Sequence, residues 1–159
     1  MFPVVTVPDD AADLQEQLGT KPKFWFGEKP SLFKEIREGT GEDWSEKVAC
    51  ELAELLEIPH ATYDLGFWKG RRGVVSDSFL PSGGRLIHGN ELLAKIVPQY
   101  PTSKFFRVRQ HSLRVVTTIV QISKPPIGFV LLPDVQTAVD VFIGYLMLDA
   151  WIGQPRQTS

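Results

Sequence analysis

The chain has 159 residues, 43% of them apolar and 23% charged, with a formal net charge of −2 and a pI near 5.9. That length holds one compact domain with a core and leaves little room for a second, and the near-neutral balance gives no electrostatic reason to expect nucleic acid or an acidic membrane as partner. Cys50 is the only cysteine, which excludes a disulfide framework or a thiolate metal cluster.

The opening, Met1 to Asp10, lacks a basic segment followed by an apolar run, so no secretory signal is expected, and the apolar stretches are broken well short of a membrane span. A soluble, cytoplasmic protein is the expectation. Residues 1–17 read as an N-terminal segment with a short helical pattern at Ala12, Leu14 and Leu18. Lys23 to Phe26 and Ser31 to Ile36 read as strands, the second with Leu32 and Lys34 on one face and Phe33 on the other. After the loop from Arg37 to Glu42, a helix begins near Asp43 or Ser45, either of which can cap it. Val48, Leu52, Leu55 and Leu56 follow the helical rhythm and predict its inward stripe, with Pro59 as its stop. Ala61 to Leu65 and Gly73 to Phe79 read as two more strands, joined by a turn at Lys69–Arg71.

Pro81, Gly83 and Gly84 mark a change of composition, beyond which the pattern is mostly helical. Glu91 to Val97 and Ser112 to Ile122 are candidate helices. Pro133-Asp134 opens the last one, with Val139, Phe142, Ile143, Leu146 and Met147 as its apolar stripe. The division is therefore 1–17, 18–81, 82–153 and a polar tail, 154–159.

Lys34, on a strand ahead of a glycine-bearing loop and a helix with Glu46 in its first turn, fits a nucleotide-phosphate clamp. The lysine supplies charge to phosphate oxygens and the carboxylate steadies its stem. An ordinary surface ion pair explains the same spacing. Gly19-Thr20-Lys21-Pro22-Lys23 can bring backbone N–H groups and charge to phosphates, yet lacks the Walker spacing, and a plain turn is the competing account. His60, His88 and His111 lack metal-ligand spacing, Cys50 is expected to be buried inside its helix, and the four tryptophans are expected in the core. Arg107, Arg109, His111 and Arg114 make a small basic cluster that a solvated face accounts for.

The order of these parts resembles the HipA-like serine/threonine kinase family, bacterial proteins with a protein-kinase-like fold that are often toxins of toxin–antitoxin pairs. The resemblance rests on Lys23-Phe-Trp-Phe26, Ser31-Leu-Phe-Lys34, the run from Gly39 to Ala61, Val74 to Phe79 and His88 to Leu93. It extends from about Leu18 to Gly153 and is most specific between Ser31 and Ala61. It implies an α+β fold: a kinase-like amino-terminal lobe, a small antiparallel sheet plus one helix, followed by the first helices of an incomplete helical lobe. It implies that Gly19, Thr20, Lys21 and Lys23 cover phosphates, that Lys34 contacts them, and that Glu46 is its helix partner. Asp77, Ser78 and Phe79 would lie at a hinge where backbone meets the adenine edge.

Relatives continue after a Leu-Asp-Ala-x-Ile-Gly stretch with a pattern like G-N-x-D-R-H-x-x-N, whereas here Gly153 is followed by Gln154, Pro155 and Arg156. Asp149 matches the preceding helix. The resemblance thus implies no catalytic residue in this chain, weak binding of ATP, and magnesium ligands missing. Two other roles stay open: a non-catalytic module for a partner protein (an antitoxin, a kinase subunit or a second copy), and an active kinase.

Overall fold

The computed structural model describes residues 2–11, 22–101, 108, 111–129 and 131–153. The chain divides into two compact units, Met1–Phe79 and Leu80–Ser159, and the architecture is α+β.

In the first unit, β1 (Val4–Thr6), β2 (Lys23–Phe26), β3 (Ser31–Glu35), β4 (Asp64–Trp68) and β5 (Arg71–Asp77) form one sheet in the order β1-β4-β5-β3-β2. The sheet is mixed, because β1 runs parallel to β4 while the other pairs are antiparallel. The expected antiparallel sheet is therefore corrected: Val4–Thr6, left outside it by the sequence reading, supplies a parallel edge strand. The helical pattern at Ala12 to Leu18 lies outside the described residues.

One face of the sheet carries the aromatic core. Phe33 is fully buried and Phe24 nearly so, with Val7 and Val75 around them and Phe26 and Trp68 packed alongside. Two glycines opposite one another, Gly66 and Gly73, make room for the Phe33 ring. A Cβ at Gly73 would lie 2.6 Å from that ring and 2.5 Å from the Lys34 carbonyl oxygen. β4 and β5 meet through Lys69 and Gly70 with φ of 47° and 81°, the twist-matched two-residue turn of a tight hairpin.

Helix α1 (Glu42–Leu55) packs on the opposite face against β4 and β5. Neither Asp43 nor Ser45 caps it. Gly41 does, in the left-handed conformation at φ 65°, while Asp43 turns inward to Arg72 and the Ser45 hydroxyl donates to the Glu42 carbonyl. Its buried residues are Asp43, Lys47, Cys50 and Ala53, not the expected stripe, for Val48 and Leu55 are 40% and 78% exposed. The helix also ends before Pro59. Leu56 is followed by Glu57 at φ 54°, and the amides of Glu57 and Ile58 donate to the Glu54 and Ala53 carbonyls, a Schellman closure.

The second unit contains α2 (Gly89–Ile96), α3 (Leu113–Gln121) and α4 (Ala138–Ile152), with α3 packed against both α2 and α4. Ser112 caps α3, accepting from the Val115 amide at 3.4 Å. The last helix starts later than Pro133: Thr137 is its cap, and Asp140 accepts from the Thr137 amide and hydroxyl. Val141 is its buried residue, while Ile143, Leu146 and Met147 of the expected stripe are exposed. Trp44 and Trp151, expected in the core, are exposed as well. No helix among the described residues is long and apolar enough to cross a membrane.

Candidate functional site

Alternation along β3 sends Phe33 into the aromatic core and Lys34 to the face that α1 covers. Glu46 sits one turn into α1, on the side facing the sheet. The Lys34 Nζ donates to Glu46 Oε1 at 2.7 Å, with side chains 36% and 29% exposed. Partial burial alone would lower the lysine pKa. The hydrogen bond and charge of Glu46, with smaller contributions from Tyr63 and Glu42, outweigh it and hold the ammonium above its ordinary range.

Lys23 is the cross-strand partner of Lys34 in the β2–β3 ladder. Directly opposed lysines have their Cβ atoms about 5 Å apart and repel one another. An anion between them converts that repulsion into attraction. Glu46 neutralises Lys34 from the helix side, leaving the pair net positive.

Asp77 ends β5 opposite Ser31. Its carboxylate accepts from Lys29 Nζ at 2.5 Å and from the Ser31 hydroxyl at 2.7 Å, and these two hydrogen bonds push its pKa down. The Ser78 amide donates to the Pro30 carbonyl at 2.9 Å, extending the sheet by one bond. Phe79 is 60% exposed. The structure thus brings Lys23, Lys34 and Glu46 together on one face and places Asp77 and Ser78 against the β2–β3 turn. Gly19, Thr20 and Lys21 lie outside the described residues, as do Arg107 and Arg109 of the basic cluster.

Two further ion pairs, missed in the sequence, join α1 to the sheet. Arg72 reaches Asp43 Oδ2 with Nη2 at 2.6 Å and Nε at 2.9 Å, while Asp43 Oδ1 is buried without a hydrogen-bond partner. Lys47, only 8% exposed, bridges Glu51 at 2.6 Å and Asp64 at 3.0 Å. Burial pulls the Lys47 pKa down, but the hydrogen bonds and charges of Glu51 and Asp64 carry it above its ordinary value. Asp43, Glu46, Lys47 and Cys50 follow the i, i+3, i+4, i+7 spacing of one helix face. That spacing alone does not mark an inward face, because apolar periodicity points elsewhere. Tyr63, whose amide donates to the buried Cys50 Sγ at 3.3 Å, was missed too; burial and the Glu46 charge raise its phenol pKa.

A recess of about 310 Å³ lies between the β3–α1 loop and the β4–β5 turn, lined by Glu35, Glu38, Gly39, Gly70, Arg71 and Arg72. Its arginines are engaged by Glu35 and Asp43, so it offers an anion little net charge. Among the described residues no group of three or more His, Cys, Asp or Glu side chains is placed to hold a metal ion. Comparison with protein-family models, curated proteins and solved structures finds no match to this chain.

Proposed function

We propose that the first unit is a nucleotide-phosphate holder of the HipA-like kinase type, and that this polypeptide binds ATP weakly without transferring phosphate. The Lys34–Glu46 ion pair, strand lysine to helix carboxylate at 2.7 Å, carries the reading. A lysine held in this way is charged, oriented and only about a third exposed, which suits phosphate recognition by a point charge. Lys23 contributes a second positive charge from the neighbouring strand. Asp77, Ser78 and Phe79 would present backbone to the adenine edge. The Ser78 amide is already committed to Pro30, so that edge would have to be read by other backbone groups of the segment.

The reading takes magnesium ligands to be missing, in keeping with the absence, among the described residues, of any group of three or more His, Cys, Asp or Glu side chains placed to hold a metal ion. Phosphoryl transfer depends on metal neutralisation and on a carboxylate that aligns the nucleophile, and the sequence contains no G-N-x-D pattern to supply either. Calorimetric titration with ATP, with and without magnesium, tests the proposal. Binding at about millimolar strength is expected, weakened about tenfold or more in Lys34→Ala. Absence of binding, or binding indifferent to Lys34→Ala, refutes the phosphate role, and transfer of labelled phosphate from ATP by the pure chain refutes the non-catalytic one.

A module that docks with a separate protein is the second reading, favoured by the large apolar side chains that α1 and α4 leave exposed, Leu55 at 78% and Trp151 at 72% among them.

A further inference from the structure

We propose that the outward face of α1 is a docking surface for a basic amphipathic helix of a partner protein. The inference is independent of nucleotide binding. At roughly 100° per residue, Trp44, Val48 and Leu55 fall within about 40° of one another, on the side of the helix away from Asp43, Lys47, Cys50 and Ala53. They are 58%, 40% and 78% exposed. A helix that turns its charged residues inward and its apolar ones outward gains nothing from the outer stripe by itself.

The stripe begins with a large aromatic ring. Trp44 lies back over Gly41, where an added Cβ would come 2.1 Å from the indole Nε1, and the positive φ of Gly41 likewise demands glycine. A tryptophan has only two side-chain torsions to lose on binding and offers a large contact area, as interface hot spots require.

Charge selects the partner. Glu51 borders the stripe with its side chain 45% exposed, Glu54 stands about 100° around the helix from Leu55 and is 79% exposed, Glu57 follows, and the last helical turn contains no basic residue. Lys47 reaches Glu51 from the inner side and His60 stands 3.5 Å from Glu54. Carboxylates at a helix C-terminus oppose the macrodipole, so a cationic partner relieves an existing strain in charge. An apolar stripe three turns long with an acidic rim matches a helix with leucine-type residues on one face and lysines beside them. Anionic membranes and acidic partners are repelled.

The test titrates the full chain into two fluorescent helical peptides, one built of leucine and lysine, the other of leucine and glutamate, followed by anisotropy. The basic peptide should bind at about micromolar strength. Val48→Ser with Leu55→Ser, and separately Glu54→Lys with Glu57→Lys, should each weaken it about tenfold or more. Glu28→Lys, a charge change of the same sign in the exposed β2–β3 turn, should leave it unchanged. The proposal is overturned by failure of the basic peptide to bind, by equal affinity for the acidic one, or by indifference to the α1 substitutions. It is equally overturned if sedimentation shows a dimer that Leu55→Ser dissolves, or if the protein alone cosediments with anionic vesicles.

Discussion

Lys34 and Glu46 show what a pair of side chains can and cannot contribute. Each is about a third exposed, so their attraction is screened and worth at most about 1 kcal/mol to stability. Because the folded pKa of Lys34 is raised, that contribution is complete below its ordinary value of 10.5 and disappears as pH climbs through the folded value. Glu46→Gln removes the principal cause of the rise. Urea unfolding between pH 8 and pH 11.5 should therefore show wild type ahead of the variant at the lower end, with the gap closing at the upper end. A gap that stays constant would mean that the lysine proton is not involved. Both residues were legible in the sequence, since strand alternation and a helix start fixed their directions. Asp43 and Lys47 were not. A buried charge is rare enough that hydrophobic periodicity outweighs it in any reading of a helix, and only the positions of Arg72 and Asp64, distant in sequence, make those burials tolerable.

At the scale of elements, the sheet depends on complementary bulk and void. Phe33 occupies space that Gly66 and Gly73 leave open, and at Gly73 the intrusion of a methyl meets both ring and backbone. Gly73→Ala should cost about 3 kcal/mol, because neither the strand backbone nor a fully buried ring can move aside. A urea midpoint unchanged from wild type would show that β5 has more freedom than its register implies. β2, β3 and most of α1 were foreseen with nearly correct ends. The edge strand β1 was not, for three residues give too short an alternation to register, and its pairing with β4 spans about sixty positions of sequence. The end of α1 was misplaced because Pro59 is a strong stop signal, whereas Glu57 in the left-handed region carries no sequence mark. In α4, apolar residues occur on every side, so no periodicity could single out Val141 as the buried one.

For the molecule as a whole, the boundary between units follows the Pro81–Gly84 break in composition. Every residue from Phe79 to Asn90 is exposed, and no helix or strand occurs between Asp77 and Gly89. Arg85 is the one lysine or arginine in that run. Brief trypsin treatment followed by mass spectrometry should yield early products 1–85 and 86–159. Accumulation of chains cut at Lys95, inside α2, while the Arg85 bond survives would contradict this organisation. The family resemblance belongs to this scale too, for it drew on the order of many parts in the sequence. The Gly19–Lys21 stretch, which the resemblance assigns to phosphate, lies outside the described residues.

Cys50 provides this protein with a chemical gauge of its own. The thiol is shut beneath α1, its sulfur engaged by the Tyr63 amide, and there is no second cysteine to confuse the signal. An alkylating reagent can reach it only when the helix lifts, so the pace of labelling counts how often the charged underside of α1 leaves the sheet.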